Sequence, residues 1–297
     1  MLFDISSILA DPMSFLTSLL ISLPGVLLAL SIHECAHAWV ALRCGDDTAY
    51  LMGRVTLNPA KHIDPIGFLC MLMVVFGWAK PVPVNPNKFR SYRRDDLKVS
   101  VAGVTANLCL FFVCFFILSL VFTGALAKLP SYESRTDAMR AYYTNRDAMA
   151  ETYVVHDGNE VQLWTEDGYY TQDTLFKYSY YMYDEVIEPA FGRAVSILYQ
   201  MILHCMFINL SLAVFNLIPL PPLDGYHVLN DLVLKQDLFA QIRTQRIAGG
   251  ILIALIMLGN YMPQYDIISI AINAVRSGVL NSLSILTKAL AQLIGAI

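Results

Sequence analysis

An apolar run from about Ser14 to Leu42 is long enough to cross a bilayer, and it carries His33, Glu34 and His37 in its interior. In hydrocarbon the backbone must satisfy its own N–H and C=O groups, so a single spanning segment is helical. Ionisable side chains there are expensive, and those that persist face a protein interior or a polar cavity and carry a function. On a helix, positions i and i+4 share a face, so His33 and His37 can both present a ring nitrogen to one ion. Glu34 lies ~100° around the helix from His33, close enough to take a proton from a water held by that ion. The spacing is the H-E-x-x-H pattern, in which the two histidines bind zinc and the glutamate acts as base.

Of the 297 residues, 56% are hydrophobic and only 15% charged, which describes an integral membrane protein rather than a soluble domain. The net charge of −4 is spread along the chain, with no basic stripe, which excludes nucleic acid as a partner class. The cysteines at 35, 44, 70, 109, 114 and 205 form no C-x-x-C pair and avoid the polar insert between Leu129 and Arg193. They read as free thiols in helices or facing a reducing compartment. Met1 to Pro12 holds Asp4 and Asp11 and no basic residue, so a cleaved secretory signal is not expected and the first helix is the anchor.

Three further stretches read as spanning helices: about Leu97 to Leu126, about Val195 to Leu217, and a short one at about Ile247 to Met262. The tail from Ile267 to Ile297 is apolar but interrupted by Arg276, Asn281 and Lys288, which fits either a fifth span or a helix lying in the interface. Pro65 to Ala79 is apolar, short and followed by Lys80-Pro81-Val82-Pro83-Val84-Asn85, and reads as a re-entrant or β-like segment. Arg43, Arg54 and Lys61 precede it; Lys80, Lys88, Arg90, Arg93, Arg94 and Lys98 follow. Basic flanks favour the cytoplasmic side, so both ends of the segment are expected on one face. Helices one and three then run in the same direction and their cytoplasmic halves can meet. Tyr50 to Leu57 reads as a short strand pair, whose edge is a candidate for strand addition by a substrate.

The insert holds ten of the sixteen tyrosines and about twice as many acids as bases. From Glu151 onward it reads as strands joined at Asp157-Gly158 and Asp167-Gly168, on the outer side of the membrane. The expectation is an all-α polytopic membrane protein with small β elements in loops. It divides into membrane core at 1–128, extracytoplasmic insert at 129–194 and membrane core at 195–297. Three core helices build the site, and one or two further helices follow.

A zinc site with two histidines needs another ligand, and Asp224 is the best candidate. It follows the third helix and a stretch broken by Pro219, Pro221 and Pro222, which frees backbone to line a cavity, and Gly225 permits a sharp turn. His62, before Asp64-Pro65, is a candidate for supporting or gating the site. His227, three residues past Asp224, and His204 in the third span are weaker candidates.

With His33 to His37 and Asn216-Leu-Ile-Pro-Leu-Pro-Pro-Leu-Asp224-Gly225 in this order on separate helices, the chain resembles the site-2 protease family of intramembrane zinc metalloproteases. Gly53 to Gly67 and Lys80 to Asn85 look like linkers of its small bacterial branch. The resemblance implies one zinc per chain on His33, His37 and Asp224, with Glu34 as the catalytic glutamate and Asn216 positioning the scissile peptide. Ala102 to Asn107 looks like the family's A-G-P-x-x-N segment with Val104 in place of proline, which makes Asn107 a supporting residue. Some relatives carry a substrate-gating domain where the insert lies; the insert does not look like one.

The expected activity is hydrolysis of a peptide bond in or near the membrane segment of a single-span or signal-peptide-like protein. The expected location is a bacterial plasma membrane, with the site toward the cytoplasm. The alternatives are a zinc or ion transporter, which would need several ligands along a path, and a non-proteolytic membrane-protein-binding homologue, which would usually lack the glutamate or a ligand. The oligomeric state and the identity of the substrate are open at this level.

Overall fold

The structure, a computed structural model, describes residues 11–68, 79–144, 151–157, 160–165, 168–234, 242–262 and 266–297. Helix α1 spans Pro12–Cys44. Asp11 caps it by accepting from the Ser14 N–H at 3.1 Å, and Pro12 occupies the first turn, where its missing N–H is harmless. The helix ends where Gly45 turns left-handed at φ 110°, a conformation that glycine adopts without penalty. Helix α2 is a single turn, Thr48–Leu51. Helix α3 spans Tyr92–Lys128 and α4 Arg135–Thr144. After the strands come α5 (Gln172–Lys177), α6 (Glu188–Phe191), α7 (Arg193–Asn216), α8 (Asp224–Leu229), α9 (Ile242–Tyr261) and α10 (Ile267–Leu293).

Four of these, α1, α3, α7 and α10, are long and apolar enough to cross a membrane. At ~1.5 Å per residue α1 and α3 each exceed the ~30 Å hydrocarbon core, so their ends reach past it. Leu20, Phe116 and Leu120 stand exposed on these spans, as lipid-facing residues do. The helix expected at Ile247–Met262 forms as α9, with Arg243 and Arg246 in its first turns. The tail, expected as a fifth span or an interfacial helix, forms α10, which is long and apolar enough to cross.

The chain divides into two compact units, Met1–Phe112 with His204–Arg276, and Val113–Leu203 with Ser277–Ile297. In the first unit α1 and α7 approach backbone to backbone. A Cβ on Gly25 would stand 2.9 Å from the Cα of Cys205. One turn away Ser22 Oγ lies 2.5 Å from His204 Nδ1, which gives that mid-span histidine a partner. Leu223, Leu252 and Ile256 form a smaller cluster with Phe215 and Ile218 packed against it.

The second unit packs Phe115, Leu118, Phe122 and Leu126 of α3 together with Leu175, Phe176 and Tyr180, all buried. Thr287 of α10 joins Ser119 Oγ at 3.0 Å and Tyr180 Oη at 3.2 Å. The insert forms a four-stranded sheet in the order β1 (Ser131–Tyr132), β2 (Tyr153–Asp157), β3 (Glu160–Thr165), β4 (Gly168–Tyr170). The first pair is parallel and the other two antiparallel, with Val154 opposite Leu163 and Trp164 opposite Tyr169. The antiparallel pairs end at Asp157 opposite Glu160 and Thr165 opposite Gly168; the turns expected at the two Asp-Gly dipeptides lie partly outside the described residues.

Tyr50 to Leu57 corrects an expectation: it is not a strand pair. Asp46 accepts from the Thr48 N–H at 3.0 Å and starts the turn α2, and Arg54 N–H closes onto Ala49 O at 2.9 Å. Local bonds thus satisfy the backbone that a ladder would have used. The expected re-entrant segment lies largely outside the described residues, but its ends are described. Ile63 bridges Ala79 and Lys80 N–H donates to His62 O at 2.7 Å, so the chain leaves and returns at one point.

A Gly25→Leu variant should lose about 1–3 kcal/mol through forced separation of α1 from α7, read as a lower thermal midpoint in detergent. Gly249→Leu, where an added Cβ meets nothing within 4 Å, should leave the midpoint unchanged.

Candidate metal centre

His33 and His37 lie one helical turn apart on α1, both buried, with their Nε2 atoms 3.0 Å apart. Asp224, first residue of α8, brings Oδ2 to 3.3 Å from each of them. His37 Nδ1 lies 2.7 Å from the Val99 carbonyl, which can only accept, so Nδ1 carries the proton and Nε2 presents its lone pair. Asp224 Oδ2 is buried with no hydrogen-bond donor among the described residues, and its neighbours across the gap are those ring nitrogens. Electron-rich atoms converging this closely in a buried place repel unless a cation sits among them.

The donor set fits zinc. Bonds of ~2.0–2.1 Å to tetrahedral zinc put neighbouring ligand atoms roughly 3.3 Å apart, close to the separations seen here. Two imidazoles and one carboxylate leave a fourth position for water or substrate, which is the arrangement of catalytic sites. The Val99 carbonyl supplies the outer hydrogen bond that orients a ligating histidine.

Two glycines make room. A Cβ on Gly103 of α3 would collide with His37 Nε2 and His33 Cε1, so the α3 backbone forms a wall of the site that only glycine permits. A Cβ on Gly225 would strike the Leu217 carbonyl, so the turn after α7 closes tightly and delivers Asp224.

Glu34 lies beside the triad in sequence, and its Oε2 accepts from the Val82 N–H at 3.0 Å. The other candidates have their own surroundings. Asn216 donates its amide to Leu212 O at 3.0 Å, a bond within α7. Asn107, one turn beyond Gly103, is fully buried and its amide has no partner among the described residues. His62 is fully buried on the linker, where its Nε2 donates to Thr56 O at 2.7 Å. It fastens that loop and is not a ligand.

Sequence reasoning missed a second polar cluster. His227 Nδ1 lies 3.1 Å from Asp96 Oδ2, and this bond raises the His227 pKa. Asp231, facing Asp96 and near Arg93, is pushed up to about 6 by burial and by the Asp96 charge. Nothing in the spacing of Asp96 and Asp231, far apart in the chain, signals that they meet.

A chain with four helices, among the described residues, long and apolar enough to cross a membrane, two histidines one turn apart, a converging aspartate and a neighbouring glutamate has the makings of a membrane metalloprotease. It matches peptidase family M50 over residues 22–259, belongs to that family, and is an integral-membrane metalloprotease. The family is the one its motifs resemble. The protein named "Putative zinc metalloprotease YwhC" of Bacillus subtilis (strain 168) is 32% identical over 222 residues, 75% of this chain and 72% of its own length. "Putative zinc metalloprotease Rip2" of Mycolicibacterium smegmatis is 31% identical over 104 residues, 33% of this chain and 40% of its own. Rip2 of Mycobacterium tuberculosis is 30% identical over 106 residues, 34% of this chain and 40% of its own. No solved structure matches the chain.

Gly103→Ala should reduce bound zinc, read by elemental analysis, from about one per chain toward none. Gly124→Ala on the same helix, where an added Cβ meets nothing within 4 Å, should keep it. The cluster predicts a pH effect as well. Asp231 titrates higher in the fold than in the unfolded chain, so its contribution is present at acid pH and lost as pH rises through about 6. Asp231→Asn should therefore raise the thermal midpoint relative to wild type at pH 7–8 and have no such advantage near pH 4.

Proposed function

We propose that this protein hydrolyses a peptide bond in or near the transmembrane segment of a single-span or signal-peptide-like membrane protein. In this reading His33, His37 and Asp224 hold zinc. The observation that carries it is the convergence of three buried lone-pair atoms beside Glu34 on an apolar helix. The names of the bacterial relatives, zinc metalloproteases, support the metal.

When bound, zinc supplies a Lewis acid that acidifies water and polarises a carbonyl oxygen. Glu34 takes the proton of the attacking water and passes it to the leaving amine. Asn216 holds the scissile peptide; its amide must first leave the Leu212 carbonyl. The substrate must be unwound where it is cut, because a helix hides its carbonyls in i→i−4 bonds.

The depth of the site supports cleavage within the membrane. Arg43 stacks over Trp39 at 4.8 Å near the C-terminal end of α1, the pairing expected of an interfacial anchor. His33 and His37 lie roughly 9–15 Å along the axis from Arg43. Arg43 in the last turn of α1 and Arg54, Lys61, Lys80 and Lys88 beyond it concentrate basic residues at that end, which supports a cytoplasmic-facing site and an outer insert. The bacterial relatives support a bacterial plasma membrane.

The test is cleavage of a single-span model substrate in detergent. Wild type and Glu34→Gln should both bind about one zinc per chain. Glu34→Gln should cut ~10²–10⁴-fold more slowly. Bound zinc with no difference in rate would overturn the role of Glu34.

A further inference from the structure

Arg54 is buried, 4% exposed, yet among the described residues no carboxylate pairs with it. Its Nη1 donates to Lys61 O at 2.5 Å, and its Nη2 donates to Lys80 O at 2.5 Å and Pro81 O at 2.9 Å. An unpaired buried cation is unfavourable. Here it meets only main-chain carbonyls, and Pro81 O belongs to the same planar peptide group as the Val82 N–H. That N–H donates to Glu34 Oε2 at 3.0 Å. One peptide plane is therefore held between a guanidinium at its oxygen and a carboxylate at its nitrogen. A cation on the carbonyl strengthens the N–H as a donor, because hydrogen bonds in series polarise one another.

The local sequence isolates this contact. Val82 lies between Pro81 and Pro83, neither of which has an N–H, so it supplies the one backbone donor of that stretch. A residue before proline is held extended, which fixes the direction of the donor. His62 and the Ile63–Ala79 bridge fasten the same loop from its other side.

We propose that Arg54 is a positioning residue for the catalytic carboxylate, acting through the Pro81–Val82 peptide to fix Glu34. The carboxylate keeps one oxygen on this fixed donor and the other for the proton it moves. The proposal rests on Glu34 being the base.

The first measurement needs no metal and no substrate. In metal-free protein, hydrogen exchange in a fragment ending at Pro81 and Pro83 reports the Val82 amide alone. Its protection should fall at least about tenfold in both Arg54→Gln and Glu34→Ala. A loop-fastening role alone would leave the Glu34→Ala protein protected, and that result would overturn the proposal. So would a Val82 amide unprotected in wild type.

The second measurement is kinetic. Arg54→Gln and Arg54→Lys should bind stoichiometric zinc and lose about 10- to 100-fold in kcat, with KM within about twofold. Val82→Pro deletes only the donor and should do the same, and the double variant should be no slower than the slower single. Added guanidinium should restore Arg54→Ala but not Val82→Pro. Multiplying losses, a fully active Val82→Pro, or an effect on KM alone would overturn the proposal. If Arg54→Gln unfolds, Val82→Pro, with Arg54 in place, carries the test. Failure of the base assignment reads differently: Glu34→Gln itself would then cut at the wild-type rate.

Discussion

Three electron-rich atoms within 3.3 Å of one another, inside a protein that lives in hydrocarbon, set the terms for the rest of this structure. Such atoms are stable together only around a positive charge, and neither lipid nor an apolar interior supplies one. The surrounding chain is arranged to bring them together. Val99 fixes the tautomer of His37, Gly103 yields the space the rings occupy, and Gly225 closes the turn that delivers Asp224. Each is a backbone feature with no catalytic chemistry of its own.

The same logic orders the loops. Glycine lets α1 stop at Gly45, Asp46 starts the turn α2, and a buried guanidinium gathers the carbonyls of Lys61, Lys80 and Pro81. These loops are held by hydrogen bonds to main-chain atoms more than by apolar packing. That suits a region that must stay polar next to a site where water is a reactant. The second unit is built otherwise, with an aromatic core of Phe115, Phe122, Phe176 and Tyr180 and a small sheet.

Much of this was legible in the residues. Helical periodicity put His33 and His37 on one face, a proline-broken segment marked Asp224, and the alternation between the Asp-Gly pairs marked the strands of the sheet. What escaped has physical reasons. Tyr50 to Leu57 looked like strands because its short alternating run cannot reveal that Asp46 captures Thr48 and starts a turn. The tail was legible only as a span or an interfacial helix, because Arg276 and Lys288 interrupt an otherwise apolar run that forms one long helix. Gly103, Arg54 and the Asp96–His227–Asp231 cluster were invisible because their meaning lies in contacts between distant segments. Asn216 was legible as a motif position, but its amide is held within its own helix.

The central claim is that His33, His37 and Asp224 bind one zinc, and X-ray absorption at the zinc edge tests it most directly. The account predicts about one zinc per chain, with a first shell of two imidazole nitrogens and oxygen ligands at about 2.0–2.2 Å. Substoichiometric zinc, or sulfur scattering at about 2.3 Å from a cysteine such as Cys35, would contradict it.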